Sequence, residues 1–408
     1  MIPLDFSKIP LRMALGAIVV ALSLAACRST PEKTPQPVEP APVIVPPPAP
    51  LQPSPPVSTS SLRPAQWTDL PSWTQDEVAA AWGAFLTSCR ALATQSAWHK
   101  VCVDADKISR PDNATARKFF ELNFQPYQLV DEGGRTEGLA TGYYEPLLRG
   151  SRTSKGNFRY PIYGTPDDLI TIDLPAFGIS DRGSRLKARV DNHRAVPYFD
   201  RAQIESGLAP VRGREIAWVD DPVELFFLQV QGSGRIELDD GSVMRVGFAD
   251  HNGHPYRSIG RHLIDRGELT LERASMQGIK AWARKNPEKL REVLNHNPRY
   301  IFFRELPANL DGPLGSLGVP LTARRSIAVD PRHVPLGAPV FLATTWPLSN
   351  KPLNQLVMAQ DTGSAIRGAV RADFFWGYGD AAGHEAGRMK QTLRMWLLLP
   401  HGFPLAAP

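Results

Sequence analysis

The stretch Gln360-Asp361-Thr362-Gly363-Ser364-Ala365-Ile366-Arg367-Gly368, followed by Arg371-Ala372-Asp373-Phe374-Phe375-Trp376-Gly377, concentrates the chemistry of this chain. Two acids stand at strand-like boundaries, among glycines and beside aromatics. Glycine permits close approach of a ligand to the backbone, which makes Gly363 a candidate contact. An acid packed against apolar rings is desolvated, so its pKa rises and it stays protonated near neutrality. Asp373, flanked by Phe374, Phe375 and Trp376, is therefore the candidate general acid, and Trp376 the candidate platform for a sugar ring. Asp361 lies beside Thr362 and Gly363, whose backbone donors would favour a charged carboxylate. Taken alone, both acids read more readily as turn residues capping strand ends.

The surroundings give these acids their context. The folded body is expected to open at Trp73-Thr74-Gln75-Asp76-Glu77-Val78, where Thr74 and Glu77 form a capping box and Trp73 and Val78 its hydrophobic staple. Val78, Trp82, Phe85 and Cys89 then follow helical spacing, and a second helix is expected over 113–123. Beyond Gly142 the text changes to short alternating strands with Gly, Pro and Asp turns, to about Val246. Asp239-Asp240-Gly241 reads as a hairpin turn. Helical text returns over 256–266 and 275–295. From Arg299 β patterning resumes over 300–304, 326–329, 340–343, 357–359 and 394–398. Helices, a β block, helices and a second β block suggest a β domain inserted into another domain.

The segment Ser326-Ile327-Ala328-Val329-Asp330-Pro331, then Val334-Pro335-Leu336-Gly337, Asp361-Thr362-Gly363 and Asp373, resembles the three-aspartate signature of a double-psi β-barrel. Upstream, Gly142-Tyr143-Tyr144-Glu145-Pro146, Phe227-Leu228-Gln229-Val230-Gln231-Gly232-Ser233-Gly234 and Tyr256-Arg257-Ser258-Ile259-Gly260 resemble the membrane-bound lytic murein transglycosylase A family. Asn297-Pro298-Arg299-Tyr300-Ile301-Phe302-Phe303 and Gly383-His384-Glu385-Ala386-Gly387 fit the same family. The likeness runs in order from about Gly142 to Leu399, with Ser364 where the family has a second glycine.

This resemblance implies a mainly β fold with helices: a double-psi β-barrel domain carrying helices (66–144 and 256–408), interrupted by an inserted β-barrel-like domain (145–255), with a glycan groove between them. It implies non-hydrolytic cleavage of the β-1,4 bond between N-acetylmuramic acid and N-acetylglucosamine, forming 1,6-anhydromuramoyl ends. Asp373 takes the position of the family's single essential acid, Asp361 supports it, and Asp330 is a structural acid. Gln229, Gln231, Ser233 and Gly234 read as a polar loop after an apolar strand, suited to sugar hydroxyls and acetamides, or else as an ordinary hairpin turn. Tyr143 and Tyr144 also stay open: Tyr144 stacks on a sugar, or both rings are core. Glu145 is the rival acid, which a two-carboxylate hydrolase would need facing Asp373. A non-catalytic wall-binding module is the other alternative, and the presence of both aspartates favours the enzyme.

The N-terminal region places the work outside the cytoplasm. Lys8 and Arg12 precede an apolar run that ends in Leu24-Ala25-Ala26-Cys27, the pattern of an export signal (1–26) whose cysteine is lipidated. The run is short for a membrane span. Arg28 after the cysteine points to the outer membrane, periplasmic face. Residues 27–65 are a proline-rich tether, on the order of 100 Å when extended. In an exported protein Cys89 and Cys102 invite a disulfide. The net charge of +5 falls to +4 once Lys8, Arg12 and Asp5 are removed with the signal. That balance suits an anionic polymer, and without a dense Lys/Arg stripe it excludes nucleic acid. His251, His254 and His262 lack ligand spacing for a metal. No Gly-Lys-Ser/Thr follows Gly363, Gly368 and Gly377, so no phosphate loop is expected, nor any cofactor. The expected partners are glycan strands, the membrane through lipid, and unspecified cell-wall assembly proteins.

Overall fold

The computed structural model describes residues 57–179, 185–363 and 365–406. The expected export signal, Cys27, most of the tether and Ser364 lie outside the described residues. Six strands close into a barrel: β1 (Gly138–Glu145), β2 (Ser326–Val329), β3 (Pro339–Thr345), β4 (Pro352–Thr362), β5 (Arg371–Tyr378) and β6 (Lys390–Pro400). They run β3-β4-β2-β5-β1-β6, and β6 pairs back onto β3. The pairs β2–β4 and β5–β1 are parallel and the other four antiparallel. Closure leaves these strands without an open edge.

Period-two alternation decides what each strand shows to the core. Along β5, Ala372, Phe374 and Trp376 enter the main core, where they meet Ile327, Val329, Val340, Phe341, Val357, Ala359 and Leu397. Asp373 and Phe375 take the opposite face. The helices Trp82–Leu92, Ser96–Asp106 and Asn113–Asn123 add Phe85, Leu92, Trp98 and Phe120 to the same core. The disulfide Cys89–Cys102 joins the first two helices, with 5.2 Å between Cα atoms. Asp112 caps the third by accepting from the Thr115 N–H at 2.7 Å.

The start of the body differs from the reading of its sequence. Leu62–Pro64 pairs with Phe124–Leu129, and Leu62 and Ala65 are buried, so the folded region begins before residue 66. Instead of a capped α-helix at Thr74 there are 3₁₀ turns at Trp73–Gln75 and Val78–Ala81. The reason is Asp76, which turns inward to accept the Leu356 N–H at 2.8 Å and to pair with Arg325, pinning this segment to β4.

The insert leaves the barrel directly after β1. Its six-stranded sheet runs Ile301–Leu306, Val243–His251, Ser233–Leu238, Leu147–Ser151, Glu215–Val219 and Tyr160–Tyr163. A separate three-stranded sheet joins Ile170–Asp173, Arg185–Asp191 and Arg194–Pro197. Because Ile301–Leu306 pairs with Val243–His251, the insert's sheet extends to residue 306, well past 255. Residues 222–231 form a helix, not a strand or a loop. Asp221 caps it, Pro222 sits at its first turn, and Gly232 ends it at φ 78°. Its Val223 and Phe226 pack against three further helices, Ile259–Asp265, Met276–Lys285 and Pro287–Asn295. The last two replace the single helix expected over 275–295, because Pro287 removes a backbone donor and opens a new first turn. Among the described residues no helix is long and apolar enough to cross a membrane.

Candidate functional site

The strand register brings the two acids together. In the central strand β2, Ala328 pairs with Asp361 of β4 on one side and with Asp373 of β5 on the other. Paired residues share a face, so both carboxyls lie on one side of the sheet, with Cα atoms about two strand spacings, ~10 Å, apart. Next along the barrel, Thr141 of β1 pairs with Asp373. Its hydroxyl donates to Asp373 Oδ1 at 2.5 Å and accepts from Arg371 Nη2 at 2.8 Å. A guanidinium only donates, so the Thr141 proton has one direction to point.

Asp361 is held by four donors. Its Oδ1 accepts the N–H groups of Ser316 (2.9 Å) and Thr362 (2.8 Å) and the Ser316 hydroxyl (3.0 Å); Oδ2 accepts the Tyr143 hydroxyl at 3.1 Å. Ser316 reaches this point because Gly315 lies against β4: a Cβ there would sit 2.4 Å from the Gln360 carbonyl oxygen. Tyr143 pairs with Phe375, and their ring centroids are 5.2 Å apart. Two half-buried aspartates therefore share a face with two aromatic rings.

Burial raises both carboxyls. Asp373 is pushed up to about 6 by desolvation; the Thr141 hydroxyl and the Arg371 charge pull it down, and Asp361 pushes it up. Asp361 is also raised, because desolvation outweighs its donors from Ser316, Thr362 and Tyr143. The donors that the sequence places beside Asp361 are present, but burial outweighs them and moves this carboxyl up from its ordinary value, not down. Burial, reinforced by both aspartates, keeps the Tyr143 phenol protonated, so it acts as a donor. At Asp330, burial would raise the carboxyl, but Arg332 and the N–H groups of Gly368 and Arg332 hold it well below the usual range. Its grip on the Gly368 N–H (2.8 Å) ties the end of β2 to the turn before β5.

Other candidates occupy less accessible places. Trp376 is buried, 5.0 Å from Phe374 and 5.3 Å from Trp346 between centroids, so it is a core ring and not an open platform. It lies beneath Gly142, where a Cβ would come within 2.6 Å of its Nε1. Tyr144 is buried against Gly383 and donates to Met276 Sδ at 3.2 Å. Glu145 is fully buried, paired with Arg235 (2.8 Å) and Arg245 (3.5 Å), and so cannot face a substrate as a free acid. Arg235 also stacks on Tyr378 of β5 at 3.6 Å. Gln229 is buried on its helix and accepts from Arg201. Gln231 accepts the Tyr144 N–H at 3.3 Å and is half-buried, as is Ser233. Gly234 is packed under Leu228, and the space beside Gly363 is filled by Ile366. Sequence reasoning missed Thr141, Arg371 and Ser316. Arg371 was legible, since position i−2 on a strand shares the face of Asp373.

Clefts open on the described residues, two of them well defined. One, of 610 Å³, lies among Leu147, Asp221, Glu224, Lys280, Arg284 and Asp380. The other, of 510 Å³, lies on the barrel among Thr345, Asn354, Lys390, Gln391, Thr392 and Arg394. Asp373 lines neither. Among the described residues no group of three or more His, Cys, Asp or Glu side chains could hold a metal ion.

Two family models match the segments that build the insert and most of the barrel. The MltA specific insert domain matches residues 139–304 and the 3D domain residues 325–399. The membrane-bound lytic murein transglycosylase A of Vibrio cholerae is 31% identical over 308 residues, covering 73% of this chain and 74% of that protein. That of Escherichia coli K12 is 34% identical over 265 residues, and the match spans 64% of its length. The crystal structure of MltA from Neisseria gonorrhoeae (monoclinic form) is 42% identical, with a TM-score of 0.77 over 88% of this chain and 98% of that one. A structure of E. coli MltA with bound chitohexaose is 28% identical, with a TM-score of 0.61 over 79% of this chain and 90% of that one. The chain belongs to the membrane-bound lytic murein transglycosylase A family.

Proposed function

We propose that this chain is a lytic transglycosylase that breaks the β-1,4 bond between N-acetylmuramic acid and N-acetylglucosamine in peptidoglycan without water. The observation that carries this reading is the Asp373 carboxyl, raised to about 6 and half-buried on the outer face of the barrel. The names of the relatives and the oligosaccharide in the E. coli structure support it.

Asp373 serves as acid and then as base. Thr141 engages Oδ1, so the acidic proton sits on Oδ2. That proton passes to the bridging oxygen while the bond from the muramoyl anomeric carbon breaks, its electron pair leaving with the departing sugar. Positive charge develops at the anomeric carbon. The Asp373 carboxylate then accepts the proton of the same muramoyl residue's 6-hydroxyl, whose oxygen closes the 1,6-anhydro ring. The residue ends protonated, and no water is consumed.

A two-carboxylate hydrolase requires a second carboxylate free to activate water. Asp361 has both oxygens committed to donors, and Glu145 is locked between two arginines. Asp361 instead acts on Asp373 through space, helping to keep it protonated. Export, acylation of Cys27 and attachment to the outer membrane's periplasmic face complete the proposal, with the proline-rich tether giving reach into the wall. Asp373→Asn is expected to abolish strand cleavage and retain glycan binding. A variant that keeps most of its activity would move the assignment to Asp361.

A further inference from the structure

The two clefts differ in how their charges are used. In the 610 Å³ cleft, Lys280 is paired with Asp221 and Glu224, and Arg149 with Asp220, so these two cations are already engaged and acids outnumber bases in the lining. The barrel cleft has no acid in its lining. Among the described residues Lys390 and Arg394 are exposed and form no ion pair with a carboxylate, and neither does the adjacent Lys351. Apart from Ala343 and Pro352, the rest of the lining carries hydroxyls and amides, among them Thr345, Asn354 and Gln391. Its floor is built across β3 and β6, where Gln391 Nε2 donates to Thr345 Oγ1 (2.8 Å) and Thr344 Oγ1 donates to the Thr392 carbonyl (2.8 Å).

The cleft is also placed with respect to the acid. Lys390 pairs with Thr141 across β6 and β1, and Thr141 pairs with Asp373 across β1 and β5. Lys390 therefore shares the face of Asp373, with its Cα about two strand spacings, ~10 Å, away. Around the barrel the order is Asp361, Ala328, Asp373, Thr141, Lys390. The acid stands between a second aspartate on one side and the unpaired cations on the other.

We propose that this cleft is a subsite for carboxylates of the peptide substituents on the glycan strand. Resting on the transglycosylase reading, this names a part of the substrate. The chemistry is that of the lining: two cations for a carboxylate, and amides and hydroxyls for peptide groups beside it. A glycan stripped of peptide keeps only the lactyl carboxylate of each muramic acid, close against its ring. The attached peptide masks that group as an amide and carries its own carboxylates farther from the sugar, towards Lys390 and Arg394.

The test compares glycan strands that carry their peptides with strands stripped of peptides by an amidase, cleaved by the wild type and by Lys390→Gln/Arg394→Gln. The wild type is expected to favour peptide-bearing strands in kcat/KM, mostly through KM, and the double variant to lose about tenfold of that preference, in line with loss of a charge-assisted contact. Binding of both strand types to the Asp373→Asn variant, with and without the two glutamines, is measured by calorimetry in parallel. Peptide-dependent affinity that the glutamines remove supports the subsite even if no cleavage is seen, which separates its fate from that of the catalytic reading. Equal affinity for both strand types, or a peptide preference that the glutamines leave intact, overturns it. Binding that inorganic phosphate displaces equally for both strand types, without peptide dependence, also overturns it, because the cleft would then be a general anion site.

Discussion

Asp373→Asn tests the electrostatics of the site through stability as well as activity. The folded carboxyl titrates at about 6 against an ordinary 3.8. Between those values the folded chain binds more protons than the unfolded one, so this group's contribution to stability falls as pH rises and levels off above about 6. At 1.36 kcal/mol per pKa unit, ionised Asp373 costs the folded state about 2–3 kcal/mol at pH 8, the lower end allowing for its partial contact with solvent. Asparagine keeps the shape and can still accept from Thr141, but carries no charge. The variant is therefore expected to be about 2–3 kcal/mol more stable than wild type at pH 8, with the difference shrinking to about 1 kcal/mol near pH 4.5. Urea unfolding of both proteins at the two pH values reads this directly. Groups shared by the two proteins cancel in the difference. A gap independent of pH, or a variant less stable at pH 8, would refute the claim that Asp373 is held neutral by burial.

Other outcomes follow from the same contacts. Cleavage by the wild type should decline as pH rises through about 6, as Asp373 loses its proton. Thr141→Val removes a hydrogen bond that favours the charged form, so that limb should move up by about one unit; a downward shift in the pH profile contradicts the assignment. Tyr143→Phe frees Asp361 Oδ2 and should cost about 1–2 kcal/mol in unfolding experiments. Glu145→Ala leaves the buried Arg245 and the half-buried Arg235 without their carboxylate and should destabilise by about 3 kcal/mol, visible as a lowered urea midpoint. Reducing Cys89–Cys102 should cost about 3 kcal/mol by the same measurement.

The parts of this architecture that were legible in the sequence are those set by local rules. The helix Asn113–Asn123 and the strand Ser326–Val329 stand where patterning put them, the first because Asp112 is a clear cap. The helix Pro222–Gln231 was misread because Leu225 to Val230 is an apolar, aromatic run that suits a buried strand equally well. Its boundary signals, Asp221-Pro222 and Gly232, were the better guide. At the site, both aspartates were visible as residue types among glycines and rings. Their juxtaposition across Ala328 was not, since it depends on register between segments far apart in the chain. Trp376 could have been excluded by alternation alone: if Asp373 faces out, residues 374 and 376 face in. Thr141 carries no local mark, and only its pairing with Asp373 gives it a role.

Cleavage of glycan strands in oxygen-18 water separates internal ring closure from hydrolysis at the atom where they differ. If Asp373 delivers and retrieves the proton while the 6-hydroxyl closes on the anomeric carbon, the muramoyl ends carry no heavy oxygen and are lighter than hydrolysed ends by one water. Heavy oxygen at the anomeric carbon would mean that water is the nucleophile, contradicting the single-residue mechanism.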